Sequence, residues 1–345
     1  MTGYDREVHV AAVGTALPGP PVDNAALARV IGSESVFEQW IDTFIGIRTR
    51  HLSVDLETGE IHYSLADLGE TAGRRAMSAA GVTPDDIDVV VMGTATPDAL
   101  MPATVNLIAD RLGVNEVPTY QLQSGCTGAV QAIDVAARML RGGPYRTALV
   151  LGGDVCAKHV DLSVDFSRLA PSELVNMILF GDGSGAVVLS VDPPPAPVAL
   201  REVLVRFVGR GRPPGQVVEW FGMGDRADGR VALREDFKAI EEQVPGLARA
   251  TLEELLRAQG WIGADLDYLL PPQLSVRMTD EIVKHLGVHR ATPVNCVADI
   301  GNAANALPFF QLEQLLPMMR PGDRAVAIAI ESSKWIKAGL VLERV

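Results

Sequence analysis

The sequence predicts a layered α/β fold built from two similar halves, and three observations lead to this prediction. Apolar, β-branched strands alternate with amphipathic helices. Segments of the first half recur in the same order roughly 175–180 residues later, a spacing that suits a duplicated domain rather than a solenoid. A proline-rich stretch at 191–197 separates the two copies. We therefore expect one half over residues 1–192 and a second over 198–345.

Local signals justify the elements of the first half. The chain enters a strand at residues 8–13, and a helix over 65–80 follows Ser64, with Asp67 in its first turn. Residues 87–92 form a nearly continuous apolar strand, which is typical of a sheet covered on both faces. The same patterns predict the remaining elements: a helix at 103–112, a strand at 119–122, a helix at 127–140, and strands at 147–151 and 186–190.

The second half repeats these signals. The segment Ala-Gly-Val-Thr-Pro-Asp-Asp-Ile-Asp-Val-Val-Val at 80–91 returns as Gln-Gly-Trp-Ile-Gly-Ala-Asp-Leu-Asp-Tyr-Leu-Leu at 259–270. In each copy a helix ends at glycine, and an Asp-apolar-Asp step enters a strand. Two further pairs, 112–114 with 286–288 and 146–151 with 324–329, follow in the same order. Residues 206–230 are rich in glycine, proline and arginine, which predicts an irregular segment outside the regular strands and helices.

Composition excludes several classes of function. Of the 345 residues 48% are hydrophobic, so the chain can bury a full core. The net charge of −13 disfavours binding to nucleic acid or to anionic lipid. No apolar run approaches the ~18 residues of a membrane span. Three widely spaced cysteines indicate neither a disulfide framework nor a zinc site, so we expect a cytoplasmic protein without a metal or redox cofactor.

Cys126 is the candidate nucleophile. It lies between a short strand and a long helix, in the run Ser-Gly-Cys-Thr-Gly at 124–128, whose small residues allow a sharp turn. At a helix N-terminus the unpaired N–H groups and the dipole favour a thiolate, and the amide of the cysteine itself can face a developing oxyanion. A thiolate both attacks thioesters and leaves again readily. Taken alone, such a residue is more often a buried structural cysteine, and the motifs around it reverse that interpretation.

With this motif and four others, the chain resembles the β-ketoacyl-carrier-protein synthase III branch of the thiolase superfamily. The other motifs are Trp-Ile-Asp-Thr-Phe-Ile-Gly-Ile-Arg-Thr-Arg-His at 40–51, Thr-Ala-Thr-Pro at 94–97, Phe-Gly-Asp-Gly-Ser-Gly-Ala at 180–186 and Asp-Ile-Gly-Asn-Ala-Ala at 299–304. The resemblance implies a duplicated five-layered αβαβα fold, usually a homodimer, that receives acyl groups from coenzyme A or an acyl carrier protein.

The chain departs from the family pattern at its active site. The resemblance implies a Cys-His-Asn set, in which Cys126 and Asn302 match the first and third members. The histidine of the family's Pro-His-Gln segment is replaced by Pro272, in Pro-Pro-Gln-Leu-Ser at 271–275. A glycine triplet near the C-terminus is replaced by Ile-Glu-Ser-Ser-Lys at 330–334, which brings Glu331 and Ser333 to this loop.

Three aromatic residues match substrate-binding positions of the family. Trp40 corresponds to a residue that stacks on adenine, and Phe44 replaces an arginine directed at the phosphates of coenzyme A. Phe237 lies in a segment near the pantetheine tunnel. For Trp40 and Phe237 a simple core position is the alternative. With Pro272 and Ser333 these three form our predicted substrate-binding set.

The loss of the histidine predicts acyl transfer without decarboxylation. In malonyl decarboxylation His and Asn together stabilise the enolate, and losing one oxyanion donor costs ~10²–10³ in rate. An alcohol or amine acceptor still needs a general base. Glu331 is our candidate, with a solvated loop acid as its alternative, and His159 is a second candidate. The expected role is an acyltransferase of secondary metabolism.

Two other functions remain open. The first is a catalytically incomplete partner subunit of a condensing complex. The second is a condensing enzyme that forms carbon–carbon bonds without decarboxylation, using a nucleophile that is already activated. A carrier protein would be acidic, and the arginines at 206, 210 and 212 form a candidate docking patch, or simply a solubilising loop.

Overall fold

The computed structural model describes residues 6–31, 34–159, 175, 178–219 and 233–345. The described part of the first half contains β1 (His9–Ala16), β2 (Val22–Asp23), α1 (Asn24–Ile31), α2 (Glu34–Phe44), β3 (Thr49–Arg50), α3 (Leu65–Ala80), β4 (Val89–Thr94), α4 (Thr104–Leu112), β5 (Thr119–Gln123), α5 (Gly128–Gly142), β6 (Thr147–Asp154) and β7 (Gly183–Ser190). The second half contains β8 (Val198–Phe207), β9 (Gln216–Val218), β10 (Leu233–Glu235), α6 (Phe237–Gln259), β11 (Tyr268–Leu270), α7 (Val276–Leu286), β12 (Thr292–Pro293), α8 (Val297–Ile300), α9 (Leu307–Leu315), β13 (Arg324–Glu331) and β14 (Ile336–Arg344).

The strand order of the second half repeats that of the first. The first half runs β1-β7-β6-β4-β5 and the second β8-β14-β13-β11-β12. In each half the first three strands are antiparallel neighbours and the last three are parallel. The halves join where β1 pairs with β8, at His9–Ala199 and Val10–Val198. The predicted duplication, read from sequence echoes, therefore corresponds to a duplicated topology.

Helices cover both faces of this sheet in layers. The central helices α5 and α9 pack against strands of both halves, whereas α3 with α4 and α6 with α7 lie outside the first and second half. Apolar clusters fill each boundary, and the central one includes Ile133, Leu140, Phe309 and Leu312, all nearly inaccessible to solvent. The predicted five-layered α/β fold is confirmed.

Helix ends follow the local sequence signals. The hydroxyl of Ser64 accepts a hydrogen bond from the amide of Asp67, whose carboxylate accepts from Ser64 in return, so α3 begins with a capping box. The helix ends at Gly81 with φ of 69°, and the equivalent α6 ends at Gly260 with φ of 68°. The strand expected at 87–92 begins two residues later, at Val89, because Ile87 caps a short 3₁₀ turn at Pro84–Asp86 and donates its amide to the carbonyl of Pro84.

The loops that carry the candidate site leave the sheet at carboxyl ends of strands. Cys126 follows β5 of the first half. Pro272 follows β11, the strand of the second half that corresponds to β4. Asn302 lies between α8 and α9, where its amide donates to the carbonyl of Leu179 at 2.7 Å. None of the helices in the described ranges combines the length and apolar character that a membrane crossing requires.

Candidate active site

A cavity brings three of the predicted site residues together. Cys126, Pro272 and Asn302 line it, and its empty volume is about 740 Å³ including the mouth. Apolar side chains from both halves form most of the wall. Phe237, the first residue of α6, also lines it, which agrees with its predicted place near the substrate tunnel.

The environment of Cys126 corrects one expectation. Burial, followed by the negative charges of Glu331, Asp154 and Glu235, raises the pKa of the Cys126 thiol to about 12. Although α5 begins two residues later, at Gly128, desolvation and three nearby carboxylates outweigh its N-terminus. The predicted thiolate is therefore wrong for the unliganded site: Cys126 carries its proton at neutral pH, and its reaction with a thioester needs a base.

Glu331 lies behind the nucleophile rather than in the cavity. It is 4% exposed, and its carboxylate accepts hydrogen bonds from the hydroxyls of Ser124 at 2.6 Å and Thr127 at 2.7 Å. The hydroxyl of Ser333 donates to its other oxygen. A Cβ at Gly125 would lie 3.3 Å from the carboxyl carbon of Glu331, so only a small residue fits there. This geometry makes Glu331 a positioning residue for the Cys126 loop, with no free oxygen directed into the cavity.

Asn302 is held with its amide group available to a ligand. The side chain is 6% exposed, and Oδ1 accepts from the amide of Ala304 at 3.1 Å. Because the carbonyl oxygen of the side chain is used in this way, the NH₂ group is the end that can donate to an oxyanion in the cavity.

We expect Asn302→Asp to slow acyl transfer by ~10²–10³, because it keeps the acceptor for Ala304 but replaces the oxyanion donor with a negative charge. The measurement is the single-turnover decay of the acyl-enzyme. Asn295→Asp is the matched control, since exposed Asn295 accepts from the amide of Val297 at 3.1 Å in the same two-residue turn, away from the cavity. Equal rates in the two variants would refute the role of Asn302.

Pro272 occupies the place that the sequence comparison assigned to histidine. It lines the cavity beside Cys126 and Asn302. The neighbouring Gln273 also lines the cavity, and its carbonyl oxygen accepts from the amides of Cys296 at 2.8 Å and Val297 at 2.7 Å. Because a carboxamide is not a base, Gln273 cannot supply the basic function of the missing imidazole.

Glu235, which sequence reasoning missed, is a carboxyl group in the cavity wall. It ends β10, and burial raises its pKa to about 7, while a hydrogen bond from Gln216 acts in the opposite direction. In the segment that contains Glu235, the sequence pattern indicated a site residue only at Phe237. An acid next to Arg234 and Asp236 resembles a solvated loop acid, so the sequence carries little signal for its burial.

The other predicted residues lie away from this cavity. Trp40 is half-buried and packs against Phe44, with 6.2 Å between ring centroids, and Phe44 is 60% exposed. The hydroxyl of Ser333 donates to Glu331 and is not part of the cavity wall, whereas the neighbouring Ser332 lines the cavity. His159 is also outside the cavity, and burial, followed by the charge of Lys158, lowers its pKa.

The predicted docking arginines lie at the end of β8 and in the segment that follows it. Arg206 and Arg210 are exposed, and Arg206 lies 3.6 Å from Glu254. Arg212 is half-buried and donates to Gln243 at 3.2 Å. Within the described residues no group of three or more His, Cys, Asp and Glu side chains is placed to hold a metal ion.

Comparisons with known proteins agree with the fold. A family model for 3-oxoacyl-[acyl-carrier-protein] synthase III matches residues 120–201. The chain is 30% identical, over 315 residues and 88% of each protein, to the beta-ketoacyl-[acyl-carrier-protein] synthase III of Xanthomonas campestris pv. campestris (strain 8004).

Two solved structures extend the comparison. A tetronic acid condensing enzyme, AbyA1, is 56% identical and superposes with a TM-score of 0.95 over 97% of this chain and 99% of that one. The 3-oxoacyl-(acyl carrier protein) synthase III of Pseudomonas aeruginosa PAO1 is 26% identical, with a TM-score of 0.81 over 98% of both chains.

Proposed function

Because the chain belongs to the beta-ketoacyl-[acyl-carrier-protein] synthase III family, whose members are enzymes that use acyl-coenzyme A or acyl carrier protein, we propose that it transfers an acyl group through Cys126 without decarboxylating malonyl thioesters. One observation carries the proposal. The cavity retains Cys126 and Asn302 but has Pro272 at the position of the histidine.

The two retained residues suit the first half of the reaction. Cys126 Sγ attacks the carbonyl carbon of the donor thioester, a carbon–sulfur bond forms to the enzyme, and the donor thiol leaves. The acyl group then lies in a largely apolar cavity beside the donor amide of Asn302. A nucleophilic acceptor attacks the same carbon, and Cys126 leaves. Neither step requires an enolate made by loss of carbon dioxide, which is the step that the missing histidine would support.

The resemblance to a tetronic acid condensing enzyme favours a second candidate for the acceptor step. A tetronic acid is a five-membered lactone with an enol hydroxyl, so its assembly joins an acyl group to both an oxygen and a carbon atom. A methylene flanked by carbonyl groups is acidic enough to serve as the carbon nucleophile without decarboxylation. At 56% identity over nearly the full chain, this relative supports an acceptor that offers an oxygen nucleophile, an activated carbon, or both.

The partner-subunit alternative has less support. A supporting chain has no need of an open cavity that still contains a cysteine nucleophile and an oxyanion donor, yet this chain has both. The relatedness to a tetronic acid condensing enzyme and to a priming β-ketosynthase of a polyketide pathway, 27% identical, supports a role in secondary metabolism. We propose that the chain acts as a cytoplasmic homodimer, as the resemblance implied.

The test is intact-protein mass spectrometry after incubation with a panel of acyl-coenzyme A and acyl-carrier thioesters. We expect a mass increase of one acyl group per chain, and its loss when a hydroxylated or 1,3-dicarbonyl acceptor is added. With carboxyl-labelled malonyl thioester we expect no labelled carbon dioxide. Absence of an adduct with every donor would favour the partner-subunit role, and release of labelled carbon dioxide would identify a decarboxylating synthase.

A further inference from the structure

We propose that Glu235 is the proton-transfer residue of this site, taking over the basic function that Pro272 cannot perform. The inference rests on the proposed function, because a general base is needed only if the cavity carries acyl transfer. It assigns a catalytic role to a residue outside the Cys-His-Asn set.

The first support is the placement of Glu235. The short strands β9 and β10 pair antiparallel, with Gln216 opposite Glu235, and both residues line the cavity that contains Cys126. The amide of Gln216 donates to Oε1. Oε2 is buried and has no hydrogen-bond partner within the described part of the chain. One oxygen is thus anchored, and the other remains free to accept a proton from a ligand.

The second support is the electrostatic environment. Burial raises the pKa of Glu235 to about 7, which is close to the optimum for a base working at neutral pH. The neighbouring charges do not offset this effect: Arg234 pairs with Glu219 at 3.0 Å, and Asp236 caps α6. Among the described residues that line the cavity, Cys126 carries the other titratable group.

The third support is that the carboxyl group is near the nucleophile. After burial, Glu331 and Asp154, the charge of Glu235 contributes to the raised pKa of Cys126. Glu331 and Asp154 are hydrogen-bonded behind the cysteine, Asp154 to Thr96 and Asn305 among others. Of the carboxylates that affect Cys126, Glu235 is the one that lines the cavity.

The proposed proton transfers balance in both steps. In loading, the Glu235 carboxylate takes the thiol proton of Cys126, the new carbon–sulfur bond forms, and the departing donor thiolate receives that proton from Glu235. In transfer, Glu235 takes the proton of an acceptor hydroxyl or activated methylene as the new carbon–oxygen or carbon–carbon bond forms. The carbon–sulfur bond breaks, and the proton passes from Glu235 to Cys126 Sγ. Glu235 ends each step ionised.

The experiment compares Glu235→Gln with the wild type over pH 5.5–9. In the wild type we expect loading to rise about tenfold per pH unit below about 7 and to level above it. In Glu235→Gln we expect this inflection to disappear, with loading and transfer slower by ~10²–10⁴ at pH 7. Glu241→Gln is the matched control, because Glu241 is exposed on α6 outside the cavity, and it should retain the wild-type profile.

A stability measurement verifies the titration without a substrate. Burial raises the pKa of Glu235 in the folded state, so ionisation of this group favours the unfolded chain. The folded state therefore loses stability as the pH rises from about 4.5 through about 7. Glu235→Gln should therefore gain thermal stability over the wild type between pH 5 and pH 8. A constant difference between the two melting temperatures would contradict a buried carboxyl that titrates near neutrality.

The outcomes separate this role from the proposed function. A loaded wild type alongside a Glu235→Gln variant with unchanged rates and pH profile would overturn the role of Glu235 and leave the proposed function intact. A wild type that accepts no acyl group would overturn the proposed function, and the role of Glu235 with it.

Discussion

Replacing Cys126 with alanine is expected to abolish the acyl adduct and all transfer that depends on it. Cys126 lines the same cavity as Pro272 and Asn302, and no hydroxyl or amine replaces its thiol in the variant. The residual rate should fall to that of direct attack by the acceptor on the donor thioester. Intact mass after loading, followed by peptide mapping of the adduct, measures both the amount and the position of the acyl group.

The chain provides a matched control for this experiment. Cys156 is likewise half-buried, and burial, followed by the charges of Asp154 and Asp182, raises its pKa well above the usual value. Both cysteines are free thiols of similar accessibility, so a non-specific thiol reagent can label either one. Cys156 is not in the cavity wall, and Cys156→Ala should load as the wild type does. An adduct retained in Cys126→Ala would show that another residue is the acceptor.

Gly93→Ala is expected to cause a large loss of stability. Gly93 lies in β4, and a Cβ there would be 2.3 Å from the carbonyl carbon and oxygen of Gly128 and 2.9 Å from the amide of Ala129. These are backbone atoms of the first turn of α5, so the clash cannot be relieved by a rotamer change. We expect a loss of up to about 3 kcal/mol in the free energy of unfolding, measured by urea denaturation.

The same substitution should also reduce acyl loading in the fraction that remains folded. Moving the start of α5 away from β4 moves the loop that carries Cys126, two residues before Gly128. Gly142→Ala is the control: it lies in the last turn of the same helix, with no atom within 4 Å of an added Cβ. Removing a helical glycine there should raise stability by up to about 1 kcal/mol. Similar losses for both variants would contradict the packing explanation.

Local sequence determined most of the architecture. The capping box of Ser64 and Asp67 and the helix-ending Gly81 involve residues close together in the chain, so their structure follows from short-range hydrogen bonds and backbone preferences. The repeated segments predicted a duplication because each half must bury the same apolar strand faces. Cys126, Asn302 and Pro272 were found through motifs that keep their spacing, and the structure brings all three to one cavity.

The chemistry of the site was decided by tertiary structure, because charge and burial depend on residues distant in the chain. The carboxylate of Glu331 accepts a hydrogen bond from Ser124, which is 207 residues away in the chain. Burial and the charge of Glu331 raise the pKa of Cys126, whereas a helix N-terminus alone would lower it. Glu235 resembled a surface acid until the pairing of β9 with β10 placed it in the cavity wall. A pKa depends on the surroundings of a group, so the sequence identified the candidate nucleophile, whereas the fold was needed to show that its thiol is protonated and which carboxyl group lies in its cavity.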